Sequence, residues 1–249
     1  MGKYTHFIVT LALGALMAAC TPPRSAQTAA PDPIHGAGGG SAAAPKPAHS
    51  APAAPAYTLV MLGDSLTAGL GLSPDKAFPH VVQNDLGGRA HIINAGVSGD
   101  TTKAGLDRFD WSVGPKADGV LIALGANDML NGLDPAQTRA NLAAMIEKAR
   151  ARGLDVFLAG MRASPNLGPQ YTRAFDRIYG ELSQRYCVPL YPFLMRPLAD
   201  KSGAAIRQAL IQRDGLHPTA QGAALIGHAL SSWLAGALKA PHIPCAPKP

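Results

Sequence analysis

The chain has 249 residues and a formal net charge of +6. Three basic residues, Lys3, Arg24 and Lys46, and one acid, Asp32, precede Tyr57, so the remainder carries only +4. No Lys/Arg run or basic stripe interleaved with aromatics occurs, which leaves nucleic-acid binding unsupported, and the absence of Cys-x-x-Cys or His-x-x-x-His spacing gives no case for zinc.

At the amino end, Lys3 precedes an uncharged, mostly apolar stretch from Phe7 to Ala19 that ends Leu16-Met17-Ala18-Ala19-Cys20. Such a stretch is too short to span a bilayer but suits the apolar region of a signal peptide. The small pair Ala18-Ala19 directly before Cys20 resembles a bacterial lipoprotein signal, with Met17 where leucine is more usual. That resemblance implies removal of residues 1–19, lipidation of Cys20 and an exported protein held on a membrane, facing the periplasm or cell surface. The alternative is an ordinary signal peptide with an incidental cysteine. Residues 20–56 are dominated by Ala, Pro, Gly and Ser, with Ile34 the single large aliphatic residue and no aromatics. They cannot bury enough apolar surface to offset chain entropy and read as a disordered linker.

Residues 57–240 are expected to form one domain, with a tail over 241–249. Strand and helix alternate along it, which predicts a three-layer α/β/α sandwich around a mostly parallel five-stranded sheet. Strands are expected at 57–62, 92–94, 119–124, 155–159 and 188–191. Helices are expected at 78–86, from a start at Asp134-Pro135-Ala136-Gln137 to the stop at Gly153, at 169–185 and at 219–238. The third strand, Gly119 to Leu124, is apolar throughout, as a central parallel strand should be. The last helix is expected to bury Ile226, Leu230, Trp233, Leu234 and Ala237.

Four segments at strand ends carry the chemistry. Val60-Met61-Leu62 stops abruptly at Gly63-Asp64-Ser65, placing a serine on a strand-to-helix turn. Asn94-Ala95-Gly96-Val97-Ser98-Gly99-Asp100 follows the second strand and Gly125-Ala126-Asn127-Asp128 the third. Asp214-Gly215-Leu216-His217-Pro218 sets a carboxylate near an imidazole in a turn-rich loop. A serine hydroxyl needs a general base within about 3 Å, and that base needs a group to fix its tautomer. Ser65, His217 and Asp214 can fill those roles. Asp64 is expected to hydrogen-bond within its turn, and Asp128 to cap the following helix. His80, His91 and His228 have weaker claims.

These four blocks, in this order over about residues 57–238, resemble the SGNH, or GDSL-type, hydrolase superfamily. They are most similar to its bacterial acyl-CoA thioesterase, lysophospholipase and arylesterase group, as are Arg173–Tyr179 and Val188–Phe193. The resemblance implies Ser65 as nucleophile, His217 as base and Asp214 as its orienter. It implies an oxyanion hole made by the Ser65 and Gly99 backbone N–H groups and the Asn127 amide. No cofactor or metal is expected, the substrate is a small acyl ester, thioester or lipid, and a monomer is expected. The rival readings are an envelope carbohydrate O-acetyl esterase, a metal-dependent phosphoesterase and a non-enzymatic lipid carrier. Loops 129–133 and 161–168 flank the site and suit an acyl groove or ordinary loop packing. If Cys20 is lipidated, Cys187 and Cys245 remain, and they either form a disulfide pinning the tail or stay free thiols.

Overall fold

Five apolar runs become the strands of one parallel sheet. The computed structural model describes residues 57–201 and 203–239. The expected signal peptide, Cys20, the linker and the tail with Cys245 lie outside the described residues. The elements are β1 (Thr58–Gly63), α1 (Ser65–Ala68), α2 (Phe78–Leu86), β2 (His91–Gly96), α3 (Thr102–Asp107), α4 (Phe109–Ser112), β3 (Gly119–Ala123), α5 (Ala126–Leu130) and α6 (Pro135–Ala151). They continue as β4 (Asp155–Ala159), α7 (Pro169–Asp176), α8 (Ile178–Tyr186), β5 (Leu190–Tyr191), α9 (Arg196–Ala199), α10 (Ala204–Leu210) and α11 (Ala220–Ala237).

All strand pairs are parallel, in the order β2-β1-β3-β4-β5. Helices α2, α9, α10 and α11 pack together as one layer, and α3, α6, α7 and α8 as the other. A sheet covered on both faces needs strands that are apolar on both sides. Leu59 to Leu62 and Val120 to Ala123 are accordingly fully buried. The chain steps from β1 outward to β2, crosses back over β1 to β3, then continues to β4 and β5. Winding reverses beside β1, so the carboxyl ends of β1 and β3 flank the crevice where open α/β sheets bind ligands.

Sequence features explain the helices that position this crevice. Asp134 caps α6 by accepting the Ala136 N–H at 2.9 Å, Pro135 opens it, and Leu142, Met145, Ile146 and Ala149 are buried along one face. Thr219 caps α11 through the Gly222 N–H at 3.2 Å. Ile226, Leu230 and Leu234 are buried beneath it, but Trp233 and Ala237 are only partly covered. Trp233 instead lies edge-on against Phe157 and Tyr191, with centroids 6.2 and 5.7 Å away, over the β4–β5 side of the sheet. The helix expected over 169–185 is split into α7 and α8, although Arg177 between them keeps helical dihedrals (φ −76°, ψ −22°). Helices α3, α4, α9 and α10 were not expected, being too short for apolar periodicity to register. Cys187 ends α8 in a left-handed conformation and is disulfide-bonded. Its expected partner, Cys245, lies outside the described residues.

Two contacts set the outer strand β2. Gln83 on α2 accepts the Ile92 N–H at 2.7 Å and donates to the Ala90 carbonyl at 2.9 Å, and Asn94 accepts the Gly96 N–H at 3.0 Å. At the carboxyl end of β2, Gly96 lies against the backbone of α1. A Cβ there would fall 2.2 Å from Ala68 N and 2.7 Å from Thr67 C, neither of which can rotate away. Overpacking of this kind costs about 1–3 kcal/mol, and each kcal/mol shifts Tm by about 2–4 °C at this chain length. Gly96→Ala is therefore expected to lower Tm by several degrees in a calorimetric scan and to shift α1. An unchanged Tm would show that β2 can slide away from α1.

Candidate active site

The site begins where β1 runs out. Asp64 turns its carboxylate onto the start of α1, Oδ1 accepting the Leu66 N–H at 2.9 Å, so its local role is that of a helix cap. Ser65 is the first helical residue and keeps 8% exposure at the floor of the crevice. The loop joining α10 to α11 delivers the imidazole. Ile211 bridges to Pro218, and Gln212 holds the loop closed by donating its backbone N–H to the His217 carbonyl at 2.7 Å. The Gln212 side chain donates at 2.8 Å to the carbonyls of both Pro218 and Leu70, tying the loop to the segment after α1.

This brings Ser65 Oγ to 2.7 Å from His217 Nε2 and His217 Nδ1 to 2.6 Å from Asp214 Oδ2. The other Asp214 oxygen accepts the backbone N–H groups of Leu216 and His217 at 2.9 and 3.0 Å. The three side chains form a continuous relay from carboxylate to hydroxyl. His228 pairs instead with Asp85 at 2.8 Å between α11 and α2, and His80 and His91 are exposed and do not line the cleft that holds the serine.

The expected oxyanion donors line the same cleft as Ser65. Gly99 sits in a turn closed by the Asp100 N–H to Val97 carbonyl bond, with φ of +87°, a conformation that favours glycine, and its own N–H has no partner among the described residues. Asn127, on α5, donates one amide hydrogen to the Asp100 carbonyl at 2.9 Å, which aims the amide and leaves its second hydrogen for a ligand.

Two residues that hold this geometry have no sequence signature. Arg108, between α3 and α4, donates from Nε to Asp100 at 2.5 Å and from one terminal nitrogen to the carbonyls of both Gly63 and Ala95 at 2.9 Å. It thereby links the ends of β1 and β2 to the turn that carries Gly99. Asp128 does not cap the helix that follows it. It is buried and accepts the Thr102 N–H and hydroxyl at 2.7 and 2.5 Å and the Thr138 hydroxyl at 3.2 Å, capping α3 across the crevice. A caps-next-helix expectation fails because the Thr102 N–H, an orphan donor in the first turn of α3, lies within reach of the Asp128 carboxylate.

The cleft has a volume of about 460 Å³. Beyond Ser65, Gly99, Asn127 and His217, its wall is mostly apolar, with Leu66, Leu70, Met129, Met161, Phe193 and Met195 prominent. Of the segment expected as loop 129–133, Met129 and Leu130 belong to α5 and line the cleft, and loop 161–168 contributes Met161 and Arg162. Among the described residues, no three His, Cys, Asp or Glu side chains gather as a metal-ligand set.

The two acids of the site are perturbed in opposite directions. The Leu216 and His217 backbone N–H groups, then the His217 ring, hold Asp214 down to about 2, so it stays ionised through the working pH range. Burial pushes Asp64 up to about 6, and its Oδ2 lacks a hydrogen-bond partner, as does the buried Thr67 hydroxyl. For Asp64 the folded chain holds the proton more tightly than the unfolded chain. Stability therefore falls as pH rises from about 4 to about 6, by up to about 3 kcal/mol. Asp64→Asn keeps an acceptor for Leu66 without the charge. Its Tm is expected to match wild type near pH 4 and exceed it at pH 7; parallel Tm–pH curves would remove the charge burden assigned to Asp64.

The sequence pattern of the GDSL-like Lipase/Acylhydrolase family matches residues 61–225. Esterase TesA of Pseudomonas aeruginosa is 38% identical over 169 residues, which cover 66% of this chain and 81% of the relative. Thioesterase 1/protease 1/lysophospholipase L1 of Escherichia coli strain K12 is 33% identical over 188 residues, covering 75% of this chain and 86% of the relative. Among solved structures, the SGNH-hydrolase family esterase AlinE4 aligns with a TM-score of 0.59 at 43% identity, covering 74% of this chain and 97% of that one. With its parallel sheet, its serine at the end of β1 and these similarities, the chain belongs to the GDSL-like lipase/acylhydrolase family and is a hydrolase of ester bonds.

Proposed function

We propose that Ser65, His217 and Asp214 are the catalytic triad of a serine esterase acting on acyl esters or thioesters with apolar acyl or aryl parts. The observation that carries this reading is the 2.7 Å and 2.6 Å relay from Ser65 to Asp214 opening into an apolar cleft. His217 Nε2 takes the Ser65 proton as Oγ bonds to the carbonyl carbon, and Asp214, held ionised, stabilises the imidazolium that results. The carbonyl electron pair moves onto oxygen, which accepts from the Ser65 and Gly99 N–H groups and the free Asn127 amide hydrogen. Collapse of this intermediate expels the alcohol or thiol, protonated by His217, and leaves an acyl group on Ser65. Water then repeats the sequence with His217 as base, releasing the acid and restoring the hydroxyl. The similar proteins named for thioesterase, lysophospholipase and esterase activities support the substrate class.

A fluorophosphonate probe is expected to label the wild type at Ser65, and Ser65→Ala is expected to lose both labelling and ester turnover while keeping its Tm. Asn127→Ala removes a donor to the developing oxyanion together with the bond to the Asp100 carbonyl, so kcat should fall by about 10²–10³ with little change in KM. A rise in KM alone would make Asn127 a substrate-binding residue, and activity in Ser65→Ala above about a thousandth of wild type would defeat the triad.

We further propose that the enzyme works on the outside of a membrane, tethered through lipidated Cys20 and the linker over residues 20–56. The support is the Ala18-Ala19-Cys20 pattern and the linker's composition. Several acyl chains on one cysteine hold a domain stably where a single chain holds only marginally. Cys20→Ala should leave the membrane fraction or accumulate as an unprocessed precursor; a variant that is processed and fractionates as wild type would refute the tether.

A further inference from the structure

Arg162 is the one cationic guanidinium of the cleft, and the esterase mechanism gives it no role. Arg162 is the first exposed residue after β4, between the buried Met161 and Ala163. The Ala163 N–H is fixed by Asp176 Oδ1 at 2.8 Å, and Gly160 bonds the backbones of Tyr191 and Leu194 at 2.8 and 2.9 Å, so the backbone that carries Arg162 is anchored on both sides. Its guanidinium lies 5.2 Å from the centroid of the Phe193 ring, another residue of the cleft wall. A contact of this kind places the cation over the ring face without consuming its N–H donors. Among the described residues those donors form no hydrogen bond or ion pair, and Asp176 is engaged with Ala163 instead. Apart from His217, no other basic side chain lines the cleft, and Asp64, its one carboxylate, is buried beneath the serine.

Unlike Arg150 and Arg185, which lie over Tyr186 elsewhere on the molecule, Arg162 is held over an aromatic ring of the substrate cleft itself. Resting on the esterase reading above, we propose that Arg162 is an anion subsite, so that the enzyme favours esters carrying a carboxylate or phosphate some distance from the scissile bond. The sheet order sets that distance. Arg162 follows β4 and Ser65 follows β1, with β3 between them, which puts their backbones about 10 Å apart along the sheet edge. The anion is therefore separated from the reacting carbonyl by several bonds across the apolar wall. A phosphate on the alcohol part, as in a lysophospholipid head group, and a carboxylate at the far end of the acyl part share this chemistry.

Matched esters separate these sources. The neutral reference is p-nitrophenyl butyrate; p-nitrophenyl hydrogen succinate carries its anion on the acyl part, and 5-butyryloxy-2-nitrobenzoate carries it on the leaving group. The readout is the kcat/KM ratio of each anionic ester to the neutral one, in wild type, Arg162→Gln and Arg162→Lys, with each variant's Tm recorded. A charge-assisted hydrogen bond is worth about 1.5–3 kcal/mol, so Arg162→Gln should lower at least one ratio by about tenfold or more. Arg162→Lys should retain part of it, and raising the salt from about 0.01 to 1 M should erode the wild-type ratio as screening shortens from about 30 to 3 Å. Which ratio falls identifies the part of the substrate that bears the anion. Both ratios unchanged in a folded Arg162→Gln enzyme would overturn the subsite while leaving the esterase intact. A wild type that hydrolyses none of the three esters and resists the fluorophosphonate would overturn the parent reading instead.

Discussion

The geometry of the site depends on how two adjacent parallel strands end. At the carboxyl end of β1 the Gly63 carbonyl accepts the Val97 N–H at 3.0 Å. Arg108 adds a second donor there, bonding the Gly63 and Ala95 carbonyls with one nitrogen and Asp100 with another. Because Asp100 in turn receives the Asn127 amide on its backbone oxygen, a single guanidinium connects the serine strand, the glycine turn and the asparagine donor. Its planar fork can serve such divergent acceptors at once, which a point charge on a flexible stem cannot. The donors around the serine are thus held in place before any substrate arrives, the condition under which electrostatic stabilisation of a transition state is strong.

Around that frame the two carboxylates nearest the histidine are treated unlike one another. Asp214 lies in a turn where two backbone N–H groups and the imidazole all favour its charged form. Asp64 sits under the serine, where burial outweighs its one backbone donor. The result is one carboxylate held firmly ionised beside the imidazole ring and one beneath the serine whose charge burial disfavours.

Much of the frame was legible in the sequence because its signals are local. A fully apolar run stopping at Gly-Asp-Ser, and others stopping before Gly99 and Asn127, put chemistry at strand ends, and parallel pairing brings strand ends to one edge. The start of α6 at Asp134 was equally local. What could not be read there acts over distance. Arg108 is one of several charged residues in a polar stretch, and its carbonyl partners lie 13 and 45 residues away. Asp128 has the residue type and position of an ordinary cap, and only the approach of α3 from 26 residues upstream redirects it. Arg162 looks like any loop arginine until Phe193, on the neighbouring strand's extension, comes beneath it. Trp233 fits the apolar stripe of α11 by spacing, yet its bulk carries it past the core to the sheet margin.

The outer margin of the sheet has a bearing on how the molecule keeps to itself. An edge strand normally offers a row of open N–H and carbonyl groups on which a second chain can crystallise into a longer sheet. At the opposite margin β5 is only two residues long and offers almost no template. Strand β2 is six residues long and would be the weak point, but the outward N–H groups of Ile92 and Gly96 are already taken by Gln83 and Asn94. An arriving strand would find its hydrogen-bonding positions interrupted by side chains that belong to the same molecule. Two amide side chains thus occupy two of the donor positions on which sheet growth along that side would depend.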